Sequence, residues 1–160
     1  MSARYVDLLV ARTLPDELIL SPEAEGACLS AVAVAAVSAQ DLHPNRVHLL
    51  RTLLARFSVG TTELTDEREA FLSRLQGLDA ASRRAAVALL VGGVIIDGRI
   101  SRRDRRLLTS AFAVIGQPLD LDPIRALGRR MRAEGWMTDA KIDAVLSTCF
   151  PAHADTEVNP

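Results

Sequence analysis

The stretch from Ala86 to Gln117, AVALLVGGVIIDGRISRRDRRLLTSAFAVIGQ, constrains the fold more than any other part of the chain. Its first half is apolar and free of proline, and is too short to cross a bilayer, which needs roughly 20 apolar residues. It breaks at Asp97-Gly98. Glycine supplies positive φ at low cost, and aspartate bonds to nearby backbone N–H groups. Ser101 and Asp104 then stand three residues apart, the spacing of a capping box. Leu107, Leu108, Ala111, Phe112 and Ile115 recur at helical intervals up to Gly116, with Pro118 beyond. The reading is an apolar helix, a tight turn and an amphipathic helix. Gly92-Gly93 lies inside the first helix, where each glycine costs roughly 1 kcal/mol against alanine. A close helix crossing or a bend would account for the pair.

The flanking sequence repeats the theme. Residues 2–13 form a short helix ended by Leu14-Pro15. Ser21-Pro22-Glu23 starts a helix to about Ala39 that is small and apolar on most of its circumference, the mark of a central helix. His43-Pro44 opens a third helix to about Phe57, with His43 as a turn or cap residue. Thr65 is expected to cap a fourth, and Gly77 to stop it. Asp79 or Ser82 starts the fifth. Asp122-Pro123 starts another after Gly116, and Gly135 breaks it. Thr138 caps a last helix through Thr148. From Pro151 the chain is a polar tail, expected to be disordered. Trp136 is expected to plug the core beneath that last helix.

No alternating strand pattern interrupts this order. With 160 residues, 49% hydrophobic and only 4% aromatic, the chain suits one domain, residues 1–150, with a core of Leu, Val, Ile and Ala. The expected fold is all-α, a compact bundle of seven to eight helices. A shift of 58 lays residues 42–50 on residues 100–108, and Ala36-Val37 on Val94-Ile95, without a gap. Both halves then read as helix, tight turn, helix: two hairpins related by a pseudo-twofold axis. In this register Arg46 falls where the second half has Asp104, and Ala39-Gln40 falls where it has Asp97-Gly98.

The break and the helix after it carry a resemblance. An apolar helix ending in Asp97-Gly98, then Ile100, Ser101 and Asp104, then Leu107-Leu108 and Gly116, resembles the TerB-like family of tellurite-resistance proteins. The likeness covers roughly residues 23–147. It implies an all-helical, two-hairpin fold and an interaction module of bacterial stress response. Some members carry an acidic surface that would bind metal. Only Asp97 and Asp104 match that feature here.

Residue types and spacing bear on each function class. An EF-hand is excluded: with Gly98 at its sixth position, the first and third would be Gly93 and Ile95, which offer no side-chain oxygen. A weak divalent-cation site of Asp97 and Asp104, with Asp41 as a third ligand, is one alternative. The structural reading is that Asp97 holds the turn and Asp104 completes the cap. No cofactor is otherwise expected. His43 and His48 are five apart rather than the four that aligns ligands on a helix face, and neither they nor His153 has a nucleophile in recognisable context. No phosphate-binding glycine loop is present. The expectation is not an enzyme. Cys28 and Cys149 read as buried thiols.

Charge is the remaining signal. Residues 1–80 hold 7 Arg against 11 Asp plus Glu, net -4, and residues 81–160 hold 12 Arg plus Lys against 9 Asp plus Glu, net +3. Arg99, Arg102, Arg103, Arg105 and Arg106 crowd one helix start, where cations oppose the helix dipole. Arg83, Arg84, Arg125, Arg129, Arg130 and Arg132 lie to either side. A solvated basic face is one reading. An acidic protein partner, including the acidic half of a second copy in a homodimer, is the functional one. Nucleic acid or an anionic membrane is the weaker alternative, because no aromatics interleave the arginines. No leader or spanning segment is read, so the expected location is the cytoplasm.

Overall fold

The computed structural model describes residues 2–40 and 43–134, and side chains within residues 6–40 and 43–130. Seven α-helices are found among them: α1 (Ser2–Thr13), α2 (Pro22–Ala39), α3 (Pro44–Arg56), α4 (Arg68–Gln76), α5 (Ala80–Val94), α6 (Arg102–Ile115) and α7 (Leu121–Glu134). Single turns of 3-10 helix occur at Thr61–Glu63 and Ile95–Asp97. The described residues contain no strand. No described helix is long and apolar enough to cross a membrane. The expected helix over 138–148, the tail, Asp41, Trp136, Cys149 and His153 lie outside the described residues.

The centre is the pairing of α2 with α5, the most extensive between described helices. Both are buried on most of their circumference, as their continuous small and apolar sequences require. Alanine-rich faces let the axes approach closely. The glycine pair sits at two crossings. A Cβ on Gly92 would overlap the side-chain end of Leu9 on α1, and one on Gly93 would lie 3.2 Å from the Cβ of Ala35 on α2. Close approach therefore accounts for both glycines.

Around this pair, α1 packs on α3 and α5, α3 on α2, and α4 on α2 and α6. The consecutive pairs α2–α3 and α5–α6 each pack together. Helix α7 lies on the turn after α5, with Gly128 against the backbone of Gly98. The core is Leu, Val, Ile and Ala, with Phe71 and Phe112 as its buried aromatics among the described residues.

Local signals placed most of the helix ends. Ser21 caps α2, accepting from Ala24 N at 3.1 Å. His43 caps α3 through Nδ1, which accepts from Asn45 N at 3.1 Å. Asp79 rather than Ser82 caps α5. Gly98 and Gly116 take the left-handed conformation, φ 78° and 72°.

Two boundaries differ from expectation. Thr65 does not cap α4. Its backbone N–H is held by Ser30 Oγ at 2.9 Å, and α4 begins at Arg68 behind Glu67, which makes no side-chain cap bond. Residues 61–63, between the third and fourth helices, turn once as 3-10 helix. Finally, α5 ends as α-helix at Val94 and tightens to 3-10 over Ile95–Asp97, so that the chain turns within one residue at Gly98.

Candidate functional site

The turn between α5 and α6 and the start of α6 hold Asp97, Asp104 and the five clustered arginines, Arg99, Arg102, Arg103, Arg105 and Arg106. Ser101 Oγ accepts from Asp104 N at 3.1 Å, and Asp104 Oδ2 accepts from Ser101 N at 2.9 Å, which completes the capping box. The other carboxylate oxygen goes elsewhere. Ser38 Oγ, in the last turn of α2, donates to Asp104 Oδ1 at 2.6 Å. Asp104 is 3% exposed. Its charge is thus compensated by one backbone donor and one hydroxyl, and it ties the start of α6 to the end of α2.

Asp97 is engaged differently. Its Oδ1 accepts from Arg99 N at 3.0 Å and so holds the turn. Its Oδ2 lies 3.7 Å from Nη2 of Arg46. Arg46 is 1% exposed and is among the largest fully buried side chains. Its Nε donates to Gly93 O at 2.8 Å and its Nη2 to Val94 O at 3.2 Å. These carbonyls belong to the last turn of α5, where the helix tightens into the 3-10 turn Ile95–Asp97. A guanidinium here adds charged donors to helix-end carbonyls and sits at the negative end of the helix dipole. Its Nη1 has no hydrogen-bond partner among the described residues. Sequence reasoning gave Arg46 no role. The signal that could have found it was its place in the 58-residue register, opposite Asp104.

Asp97 and Asp104 are therefore engaged by different partners. Among the described residues, no group of three or more His, Cys, Asp or Glu could hold a metal ion. His43 spends Nδ1 on its cap, and His48 Nε2 lies 3.6 Å from Asp7 Oδ1 at the surface. Cys28 is buried, and desolvation, reinforced by Glu25, pushes its thiol up to about 12. A thiol with that value is protonated and unreactive near neutral pH.

No family model, curated protein or solved structure matches the chain.

What the folded chain presents outward here is arginine. Arg99, Arg102, Arg103, Arg105 and Arg106 are all exposed, and none forms an ion pair with a described residue. On α6 itself Asp104 is the one acid, and it is buried. Arg125, Arg129 and Arg130 of α7 are exposed as well. The contact of Gly128 with Gly98 brings Arg129 and Arg99 to the same side of the molecule, each one residue from the touching glycines. Other arginines are spent on structure. Arg83 closes the end of α4 by donating to Leu75 O and Gln76 O, Arg74 donates to Glu63 O, and Arg56 to Leu14 O. The surface group is distinguished by making no ion pair with the described residues.

Proposed function

We propose that the chain is a non-catalytic helical interaction module, working in the cytoplasm in a stress response of the tellurite-resistance type. Its arginine face at the start of α6 binds an acidic protein partner. The observation that carries this reading is the set of five exposed arginines without a described ion-pair partner, at a helix end where the dipole disfavours them. Guanidinium suits carboxylates because it offers two parallel donors.

The resemblance to the TerB-like family through Asp97, Gly98, Ile100, Ser101, Asp104, Leu107, Leu108 and Gly116 supports the module reading. So does the structural employment of the residues that chemistry would otherwise need: Asp97 and Asp104 are held within the turn and cap, and His43 within a cap. The pseudo-twofold hairpin pair belongs to the same reading. Its support is the contact of Ala35 with Gly93 and the parallel placing of Arg46 and Asp104, each pair separated by the 58 residues of the sequence register.

The test is capture of partners from the source cell by the immobilised wild-type chain and by Arg102→Glu/Arg103→Glu/Arg106→Glu. The wild type is expected to retain an acidic protein that the charge-reversed chain loses. Retention of the same protein by both would remove the arginine face from the proposal. A partner that proves to be nucleic acid, with a steep salt dependence of binding, would replace the protein partner.

A further inference from the structure

Two large hydrophobic side chains stand exposed among the described residues, Ile19 at 90% and Val37 at 52%. A single exposed apolar residue is ordinary. The surroundings of these two are not. Ile19 lies in the connection before α2, between exposed Asp16 and Glu17 on one side and exposed Glu23 on the other. Val37 lies in the last turn of α2 beside Ser38, whose bond to Asp104 sets it at the arginine-rich start of α6. One apolar residue thus has exposed acids beside it in the chain, and the other adjoins the residue that ties α2 to the arginine-rich start of α6. Ile19 precedes the first turn of α2 by three residues and Val37 lies in its last turn, and the 18-residue helix between these ends is about 27 Å long.

We infer that the chain associates head to tail with further copies of itself, the acidic Ile19 end of one copy seating on the Val37 and α6 arginine end of the next. This rests on the reading of the arginine face as a binding surface, and it names the partner. The two ends differ, so the contact is heterologous and extends into a ring or an open chain rather than closing as a twofold dimer. Apolar burial supplies the attraction at the centre, and the charges at each end set orientation and encounter rate. A contact built on one knob at each end is small. It belongs to the weak, concentration-dependent class.

Sedimentation velocity over a concentration series tests it with three chains: the wild type; an acid-end variant, Asp16→Arg/Glu17→Arg/Ile19→Ser; and a basic-end variant, Arg102→Glu/Arg103→Glu/Val37→Ser. The wild type is expected to gain mass with concentration, without a ceiling at the dimer unless a ring closes, and to lose it as salt is added. Each variant alone stays monomeric. Their equimolar mixture regains association, because each variant supplies the working end that the other lacks. Circular dichroism reports whether each variant folds. Should a triple change fail to fold, Ile19→Ser and Arg103→Glu singly are expected to weaken association roughly tenfold.

A wild type that is monomeric throughout, a saturating dimer insensitive to either set of changes, or a mixture that does not pair overturns the inference. The capture experiment separates the two ideas. A monomeric chain that still retains an acidic protein through its arginines leaves the proposed function standing. A chain that does neither loses both.

Discussion

Arg46 is a charged side chain at 1% exposure, and its removal would take a charged donor from two helix-end carbonyls and the ion-pair partner from Asp97. Arg46→Ala is expected to cost about 3 kcal/mol, since bonds to a charged group are worth roughly 1.5–3 kcal/mol and a broken buried pair more. In a chain of this size that lowers Tm by roughly 6–12 °C. Asp97→Asn should cost much less. Asparagine keeps the turn bond to Arg99 N, and Arg46 keeps both carbonyls. Thermal unfolding of the two variants checks the order, and equal losses would mean the ion pair outweighs the carbonyl bonds. Cys28 gives a second prediction. Its thiol, raised from 9.0 to about 12, keeps its proton in the folded chain while an unfolded chain releases it. Its contribution to stability is complete below pH 9 and is lost as pH rises from 9 toward 12. With Cys149→Ser to isolate it, Cys28 should react with a thiol reagent at neutral pH only after denaturant is added. Arg46 was illegible in sequence because nothing local marks it. Its partners lie 47 and 48 residues away, and a lone arginine in an amphipathic helix reads as surface.

Helix ends were legible wherever a short-range bond sets them, as at Ser21, Asp79, Ser101, Gly98 and Gly116. Thr65 misled by its position: its hydroxyl accepts from Glu67 N at 3.3 Å, two residues on, and the helix starts behind Glu67. The glycine pair was legible as an anomaly, and the structure assigns each glycine its neighbour. Gly92→Ala is expected to destabilise by about 1–3 kcal/mol through overpacking on Leu9, even though alanine gains roughly 1 kcal/mol in helix propensity. Combining it with Leu9→Ala should cost less than the two changes summed, because each relieves the other. Additive costs in urea unfolding would place the strain elsewhere. Asp79 at the start of α5 titrates below its ordinary 3.8, chiefly because the backbone N–H and then the hydroxyl of Ser82 bond its charged form. That contribution is present above pH 3.8 and is lost as pH falls through the lowered value. Asparagine caps nearly as well without titrating. Asp79→Asn should therefore flatten this part of the acid unfolding profile while changing neutral-pH stability little.

Across the whole molecule, the fold class was legible because helix period and break signals agree along nearly every described segment. The candidate site was half legible. The arginine crowd stands in the sequence as it stands on the surface, but the separate engagement of Asp97 and Asp104 depends on Arg46 and Ser38, which come from the other half of the chain. Calorimetry with calcium, manganese or zinc is accordingly expected to show no binding heat, and Tm to be unmoved by metal. A metal-dependent rise in Tm that Asp104→Ala abolishes would reinstate a cation site there. The ties that engage these carboxylates also set what each half can do alone. Ser38 reaches Asp104, Arg46 reaches Gly93 and Val94, and α2 and α5 each cover the other's apolar face. A polypeptide cut at the exposed Gly77 would leave two fragments, neither able to hide its central helix by itself. Each should be insoluble or loosely structured when made alone, yet the two should reconstitute a folded protein when mixed, which would make the chain a natural candidate for a split reporter.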